Sequence, residues 1–169
     1  MSVEGIAQTS QYLTFKLDEE VYALDINQVR EVLDFKDITK VPRMPDFMRG
    51  VINLRGGVVP VVDLRLKFGM SMAEKSVDTC IIIIEIMLAG ELTLLGAIAD
   101  SVQEVMTLEA DQIEPPPKLG ARLNTEFIKG MGKKNDDFII LLDIDRIFSS
   151  EEISLVRESE EAPLESEKI

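Results

Sequence analysis

Three aspartates that follow apolar runs are the residues of this sequence best suited to chemistry: Asp63, Asp143 and Asp145. Carboxylates at strand ends can act as general acids or bases, so a small enzyme that relies on carboxylates alone is one hypothesis. Asp63 and Asp143, however, occupy equivalent places in two similar stretches of the chain, 80 residues apart. That symmetry favours residues that cap turns over a catalytic pair.

Most other chemistries lack the residues they need. The chain has no histidine, which removes the commonest general base, the commonest metal ligand and a histidine phosphoacceptor. Its one cysteine, Cys80, lies in an apolar run and reads as a buried small side chain, so neither a disulfide nor a structural zinc site is expected. Residues 143–145 begin like a calcium loop, but the later glycine and glutamate are missing. We expect no metal, no cofactor and no catalysis.

The same sequence framework occurs twice. Five residues of the first copy recur at a constant offset of 80 in the second: Phe47, Arg49, Gly50, Asp63 and Phe68 correspond to Phe127, Lys129, Gly130, Asp143 and Phe148. A second echo relates residues 29–33 to residues 102–106. The chain therefore consists of two related halves. They differ at residues 53–57, Asn-Leu-Arg-Gly-Gly, which the second half replaces with Lys-Lys-Asn-Asp-Asp, and we expect function in that element of the first half.

The elements that must position these residues are mostly short strands. Alternating or continuous apolar segments separated by turn residues predict hairpins at 12–24, 50–64 and 79–99 and a last core strand at 138–144. Asp25 is expected to cap a short helix with Ile26, Val29 and Leu33 on one face, followed by a poorer strand at 35–41. Pro60 inside a strand predicts an edge or a bulge. Ser149 or Ser150 is expected to cap a C-terminal helix.

This pattern predicts an all-β fold made of two small five-stranded barrels related by pseudo-twofold symmetry. We expect a single domain over residues 10–150, with intertwined halves at roughly 10–75 and 76–148. A C-terminal helix and an acidic flexible tail complete the chain over residues 149–169.

The charge distribution favours a protein partner. The net charge is −13, which argues against nucleic acid, yet residues 36–67 contain seven cations and three anions. A local basic region on an acidic protein suits an acidic protein surface, although an ordinary solvated face is the alternative. The start of the chain lacks the basic flank and apolar stretch of a signal peptide, and no apolar run is long enough to span a membrane. We expect a cytosolic protein.

Residues 47–65, F-M-R-G-V-I-N-L-R-G-G-V-V-P-V-V-D-L-R, resemble the signature stretch of the CheW family, the bacterial chemotaxis coupling proteins. Further matching segments occur in the same order at residues 22–32, 100–105, 113–117 and 127–130, so the similarity runs from about residue 12 to residue 148. The resemblance implies two Src-homology-like barrels and a non-catalytic adaptor for signal transduction. It implies two partners, the cytoplasmic tip of methyl-accepting chemoreceptors and the regulatory domain of the two-component histidine kinase CheA.

The resemblance also implies roles for individual residues. Six positions match the family's receptor-binding surface: Arg55, Glu31, Val29, Val32, Gly50 and Gly56. Glu31 could pair with Arg55, and the two valines would line an apolar groove for the receptor helix tip. The individual kinase-binding residues are not defined, and the candidate is the loop that contains Lys36, Lys40 and Arg43.

Family members of this kind are monomers in isolation, join receptor arrays through their partners and do not insert into the membrane. Two alternatives stay open: an adaptor of another chemosensory pathway, such as type IV pilus motility, and the carboxylate-dependent enzyme.

Overall fold

The computed structural model describes residues 9–72, 74–88, 90–115 and 127–161. They form eleven strands: β1 (Thr9–Leu17), β2 (Glu20–Asp25), β3 (Val29–Asp34), β4 (Met48–Leu54), β5 (Gly57–Asp63), β6 (Cys80–Leu88), β7 (Glu91–Ala99), β8 (Ser101–Glu109), β9 (Ile113–Glu114), β10 (Ile128–Lys134) and β11 (Asp137–Leu142). The helices are α1 (Leu64–Lys67) and α2 (Ser150–Glu161), with single 3-10 turns at Ile26–Gln28, Ala110–Gln112 and Ile144–Arg146. Within these ranges no helix is long and apolar enough to cross a membrane.

The strands form two sheets, and each sheet contains strands from both halves of the sequence. One sheet has the order β8-β1-β2-β11-β10-β9 and the other β3-β6-β7-β5-β4. The predicted all-β fold with two subdomains is confirmed. The strand counts are six and five where five and five were predicted, because the two-residue strand β9 pairs with β10.

The duplication is visible in the hydrogen bonding of the two equivalent hairpins. Ile52 lies opposite Val59 in the β4–β5 hairpin, and Gly132 lies opposite Ile139 in the β10–β11 hairpin. The register of each hairpin shifts just before its equivalent glycine, Gly50 or Gly130, and the N–H of each equivalent aspartate donates to a phenylalanine carbonyl at 2.7 Å. Both hairpins close with a two-residue turn, so the segment 53–57 differs from its counterpart in residue type and not in length.

The third strand of each half pairs with the first strand of the other half. β3 pairs with β6, and β8 pairs with β1, both antiparallel. Each sheet is completed by one parallel pairing, β5 with β7 and β11 with β2. The two halves are therefore interleaved, and the boundary near residue 75 stays a prediction about the sequence repeat.

The main hydrophobic core lies between the two sheets. Phe15, Leu17 and Leu24 from one sheet pack in the same fully buried cluster as Ile82 and Ile84 from the other. Each sheet has a smaller cluster on its opposite face, one built around Ile52, Val61 and Ile83 and the other around Tyr12, Leu108 and Leu141. The central core is therefore built by both sheets together.

The predicted helix after Asp25 is wrong beyond its first turn. Asp25 does cap, accepting the N–H of Asn27 at 2.9 Å, but only Ile26–Gln28 is helical and the strand β3 follows. The valines of β3 are β-branched, and pairing with β6 provides the strand with hydrogen bonds that outweigh the three-residue spacing seen in the sequence.

The predicted strand at 35–41 is reduced to one bridge, between Thr39 and Val51. Of the two alternatives predicted for Pro60, the edge is wrong because β5 is an interior strand, whereas a register shift does occur in β4 between Met48 and Gly50, next to the partner of Pro60. Val51, opposite Pro60, directs both its N–H and its C=O to Thr39, at 2.8 and 2.9 Å. The β4–β5 ladder therefore needs no donor at residue 60.

The C-terminal helix begins as predicted with Ser149 as its cap. The N–H of Glu152 donates to Oγ of Ser149 at 3.2 Å, and the N–H of Ser149 donates to the Glu152 carboxylate at 2.8 Å, a reciprocal capping box. The helix α2 packs on β4 and β5 and buries Val156 completely. The predicted flexible tail at residues 162–169 lies outside the described residues.

Candidate functional site

The turn between β4 and β5 holds two successive residues in the left-handed region. Arg55 has a φ of 50° and Gly56 a φ of 90°, the pattern of a type I′ hairpin turn. The N–H of Gly56 donates to the side-chain oxygen of Asn53 at 2.9 Å, which fixes the turn locally. A Cβ on Gly56 would meet no atom within 4 Å, so the backbone angle and not a lack of space favours glycine there.

An arginine in the left-handed region is conformationally unfavourable, and its contacts show what it does there. Its guanidinium donates to both carboxylate oxygens of Glu31, with Nη1 3.5 Å from Oε1 and Nη2 on Oε2. The pair joins the tip of the β4–β5 hairpin to β3, and β3 and β4 are the two edge strands of the five-stranded sheet. The Arg55 side chain is 69% exposed, so the pair is displayed to solvent.

The ion pair keeps both groups charged. The hydrogen bond from Arg55 lowers the pKa of Glu31 below its ordinary value, the charges of Arg55 and Arg30 lower it further, and partial burial opposes them. The same hydrogen bond raises the pKa of Arg55. The surface therefore presents a fixed dipole to a partner at neutral pH.

The two valines of the predicted receptor surface lie on the opposite face of β3 from Glu31. A register shift at Arg30 places Val29 opposite Ile84 and Val32 opposite Ile82, both residues of the central core. Val29 is half-buried, whereas Val32 is 43% exposed. The edge of β3 thus has an apolar side and a charged side.

Gly50 is a buried residue of β4, the strand that leads into the turn. It has a φ of +141°, and a Cβ there would lie 2.0 Å from the carbonyl oxygen of Thr39. Only glycine lets the segment around Thr39 approach β4 closely enough to form the bridge with Val51. Gly50 is therefore placed to shape the surface and not to touch a partner.

The predicted kinase-binding loop divides into two parts. The Lys36 ammonium donates to the backbone carbonyl of Asn53 at 2.9 Å and so belongs to the β4–β5 turn. Lys40 and Arg43 instead line a groove of about 340 Å³ between the segment at residues 40–49 and α1.

Asp63 and Asp143, two of the aspartates considered as catalytic candidates, make structural contacts. Asp63 is 2% exposed, and its carboxylate accepts the N–H groups of Arg65 at 2.9 Å and Leu66 at 3.4 Å and the guanidinium of Arg49 at 3.3 Å. It caps α1. Asp143, which follows a strand of the other sheet, pairs with Arg146. Asp63 therefore caps a helix as predicted, whereas the side chain of Asp143 precedes the 3-10 turn at Ile144–Arg146 without a capping hydrogen bond, so the predicted symmetric capping role is wrong for Asp143.

The sequence analysis did not predict two ion pairs. Arg65 donates to the carboxylate of Asp100 at 2.7 Å, and that carboxylate also accepts the N–H of Asp18 at 2.7 Å. These two contacts link the halves of the chain. No sequence pattern connects residues so far apart. Lys134 pairs with Glu104 at the end of the other hairpin. Glu104 corresponds to Glu31 in the sequence echo, so this signal was present, and the second half keeps an ion pair but with a lysine.

Two interleaved β-sheets that display a charged pair beside an exposed apolar edge define a protein-binding module. A family model described as the CheW-like domain matches residues 11–152. The chain is 37% identical to the chemotaxis protein CheW of Klebsiella aerogenes, over 86% of each chain, and 32% identical to that of Thermotoga maritima, over 86% of this chain and 90% of the relative.

The structure superimposes on the crystal structure of the scaffolding protein TtCheW from Thermoanaerobacter tengcongensis with a TM-score of 0.75. Sequence identity to that protein is 40%, covering 85% of this chain and 94% of the other. The chain belongs to the CheW family and is a chemotaxis adaptor that acts as a scaffold in signal transduction.

Proposed function

We propose that this adaptor binds the cytoplasmic tip of chemoreceptors and the regulatory domain of the histidine kinase CheA, and transmits the state of the receptor to the kinase. It works in the cytoplasm, catalyses no reaction, is a monomer in isolation and reaches the membrane arrays through its partners. The observation that supports this most directly is the exposed Arg55–Glu31 pair at the edge of β3.

The receptor contact is assigned to that edge. Val29 and Val32 provide apolar area for one face of a receptor helix, as in other helix-in-groove contacts. Glu31 and Arg55 provide the charged complement that sets orientation. Gly50 and Gly56 act indirectly, since one permits the close approach of Thr39 and the other the left-handed turn.

The kinase contact is assigned to the groove beside Lys40 and Arg43, with Lys36 as a link to the turn. Arg49 lines the groove and is six residue steps along the extended strand from Arg55, about 20 Å at 3.3 Å per step. Two partners can therefore bind one chain simultaneously, as an adaptor requires.

Replacing Arg55 with glutamate tests the receptor surface. In a reconstituted mixture of receptor, kinase and adaptor, Arg55→Glu should strongly reduce receptor-dependent kinase activity, because two carboxylates then face each other at the turn. Lys133→Glu, which makes the same charge change in the other sheet, should retain it. The double variant Arg55→Glu/Glu31→Arg restores an ion pair with reversed polarity, so continued loss shows that the receptor reads the charges. Full activity of Arg55→Glu would refute the assignment.

A pull-down with the regulatory domain of CheA tests the partner itself. The wild-type chain should be retained, and Lys40→Glu/Arg43→Glu should be retained less while its receptor binding persists. If the wild-type chain is not retained, the proposed coupling is wrong.

A further inference from the structure

The strand β6 extends beyond the start of its neighbour β3. Val29, the first residue of β3, lies opposite Ile84, and β6 continues from there to Leu88. A strand that loses its neighbour leaves backbone N–H and C=O groups in need of other partners. Side chains provide such partners at this end of β6.

Asp145 provides the acceptor at this end of β6. One oxygen of its carboxylate, Oδ1, accepts the backbone N–H of Met87 at 2.9 Å and the side-chain amide of Gln28 at 3.4 Å. The same Gln28 amide also donates to the backbone carbonyl of Glu85 at 3.4 Å. Because Gln28 directly precedes Val29, the carboxylate of Asp145 ties the residue before β3 to the end of β6.

Asp145 reaches this edge from the other sheet. It lies in the 3-10 turn Ile144–Arg146, which follows β11, and Ile144 is completely buried in the central core. The buried residue fixes the turn, so the exposed carboxylate beside it has a defined position relative to both sheets. Asp145, the third aspartate considered for catalysis, therefore links the two sheets.

The equivalent position in the first half makes an equivalent link. Arg65 lies 80 residues before Asp145, and its guanidinium contacts the carboxylate of Asp100, which accepts the N–H of Asp18 in the β1–β2 turn. The β1–β2 and β6–β7 hairpins occupy corresponding places in the two sheets. Both positions thus carry a polar link to a hairpin of the opposite sheet, made with different side chains, which indicates that this position holds the sheets together.

We propose that Asp145 is a positioning residue for the receptor-binding edge. This inference rests on the proposed function, in which Val29 and Glu31 of β3 belong to the receptor contact. The contacts of Asp145 fix the point at which the 3-10 turn Ile26–Gln28 ends and β3 begins. Asp145 holds the start of β3 in the conformation that the receptor binds, without touching the receptor.

Two substitutions at this one position separate hydrogen bonding from charge. Asp145→Asn retains an oxygen that can accept both donors, whereas Asp145→Ala retains none. Asp111→Ala removes an exposed carboxylate from the middle of another 3-10 turn, Ala110–Gln112, and is the matched control. If the receptor bound the charge of Asp145 directly, the asparagine and alanine variants would behave alike.

Amide hydrogen exchange in the full chain, without any partner, tests the positioning itself. The N–H of Val29 donates to the carbonyl of Ile26 and reports on the start of β3. Exchange at Val29 and Met87 should be about three- to tenfold faster in Asp145→Ala than in the wild type, the equivalent of one net hydrogen bond. It should keep the wild-type rate in Asp145→Asn and Asp111→Ala. Unchanged exchange in β10 verifies that each variant is folded.

Binding to a soluble fragment of the chemoreceptor tip tests the consequence. The Kd of Asp145→Ala should rise about three- to tenfold, because the receptor must then order the start of β3 itself. Asp145→Asn and Asp111→Ala should bind the fragment as the wild type does. All three variants should keep their affinity for the regulatory domain of CheA.

Three results would overturn the proposal: unchanged exchange at Val29 in Asp145→Ala, equal receptor affinity of Asp145→Ala and Asp111→Ala, or an equal loss of affinity in Asp145→Asn and Asp145→Ala, which assigns the charge to a direct contact. If the wild-type chain binds no receptor fragment, the proposed function fails, and the exchange at Val29 still decides whether Asp145 positions β3.

Discussion

Arg55 shows how one residue can combine an unfavourable backbone angle with a useful side chain. A glycine or asparagine would adopt the left-handed angle more readily, and the second half has Asn135 at the equivalent position with a φ of 58°. The first half has an arginine whose guanidinium reaches Glu31 across the sheet edge. Both turns begin with a left-handed residue, but the second turn residue is left-handed only at Gly56 and not at Asp136, so the halves differ in side-chain chemistry and in the backbone of the turn.

The lowered pKa of Glu31 predicts when the ion pair is lost. Because the folded-state pKa lies below the ordinary value of 4.5, the contribution of the pair is complete above that pH and disappears as the pH falls through the lowered pKa. A carboxyl carbon titration by NMR should give a midpoint below 4.5 for Glu31. Arg55→Gln should raise the midpoint more than Arg30→Gln, since Arg55 provides the hydrogen bond. A wild-type midpoint at or above 4.5 would contradict the pairing.

Cys80 should be chemically inert in the folded protein. Burial, assisted by the charges of Asp34, Asp100 and Asp78, raises the pKa of its thiol to about 11. At pH 8 only about one thiol in a thousand is then ionised, and the thiolate is the reactive form. Alkylation by iodoacetamide, followed by mass spectrometry, should be much slower in the native protein than in urea. Equal rates would show that the thiol is accessible.

At the scale of elements, the β4–β5 and β10–β11 hairpins share register, bulge and turn length. The β4–β5 hairpin is distinguished by its support. Gly50 lets the segment before it bridge to β4 through Thr39, and Asp63 caps α1 directly after β5. The β4–β5 turn therefore projects from a hairpin that is held at both of its ends.

Gly50→Ala should destabilise the protein by about 3 kcal/mol. The substitution adds backbone strain at a φ of +141° and a clash with the carbonyl of Thr39, each costing about 1–3 kcal/mol. Urea unfolding should show a lower midpoint with an unchanged slope. Gly57→Ala, whose Cβ would have an ordinary contact of 3.5 Å with Leu54, is the matched control and should change stability by less than about 0.5 kcal/mol. Equal effects of the two would refute this role of Gly50.

At the scale of the molecule, we expect stability to depend on the interleaving of the two halves. Each sheet takes strands from both halves of the chain, and the central core is made by both sheets. The Arg65–Asp100 pair adds a polar link between the halves. Neither half has a complete sheet of its own.

The separate fragments 1–75 and 76–169 should not fold alone. The strand β3 would lack β6 in the first fragment, and β8 would lack β1 in the second, so each would expose the inner face of the core. Circular dichroism should show no cooperative thermal transition for either fragment, whereas the intact chain unfolds in a single transition. A cooperative transition in one isolated fragment would show that the halves are independent.

The sequence by itself determined the all-β class, the duplication, the capping role of Asp63 and the start of α2 at Ser149 or Ser150. These follow from local alternation, turn chemistry and repeat spacing, which a chain expresses over a few residues. The sequence misassigned residues 29–33, because the spacing of Val29 and Leu33 fits a helix while pairing with β6 makes a strand.

Only the tertiary structure decided which strands pair across the halves, that Val29 and Glu31 face opposite sides of β3, and that Lys40 and Arg43 line a groove. Each of these depends on contacts between residues far apart in the chain, and such contacts are fixed by the packing of the whole core and not by the neighbours of any one residue.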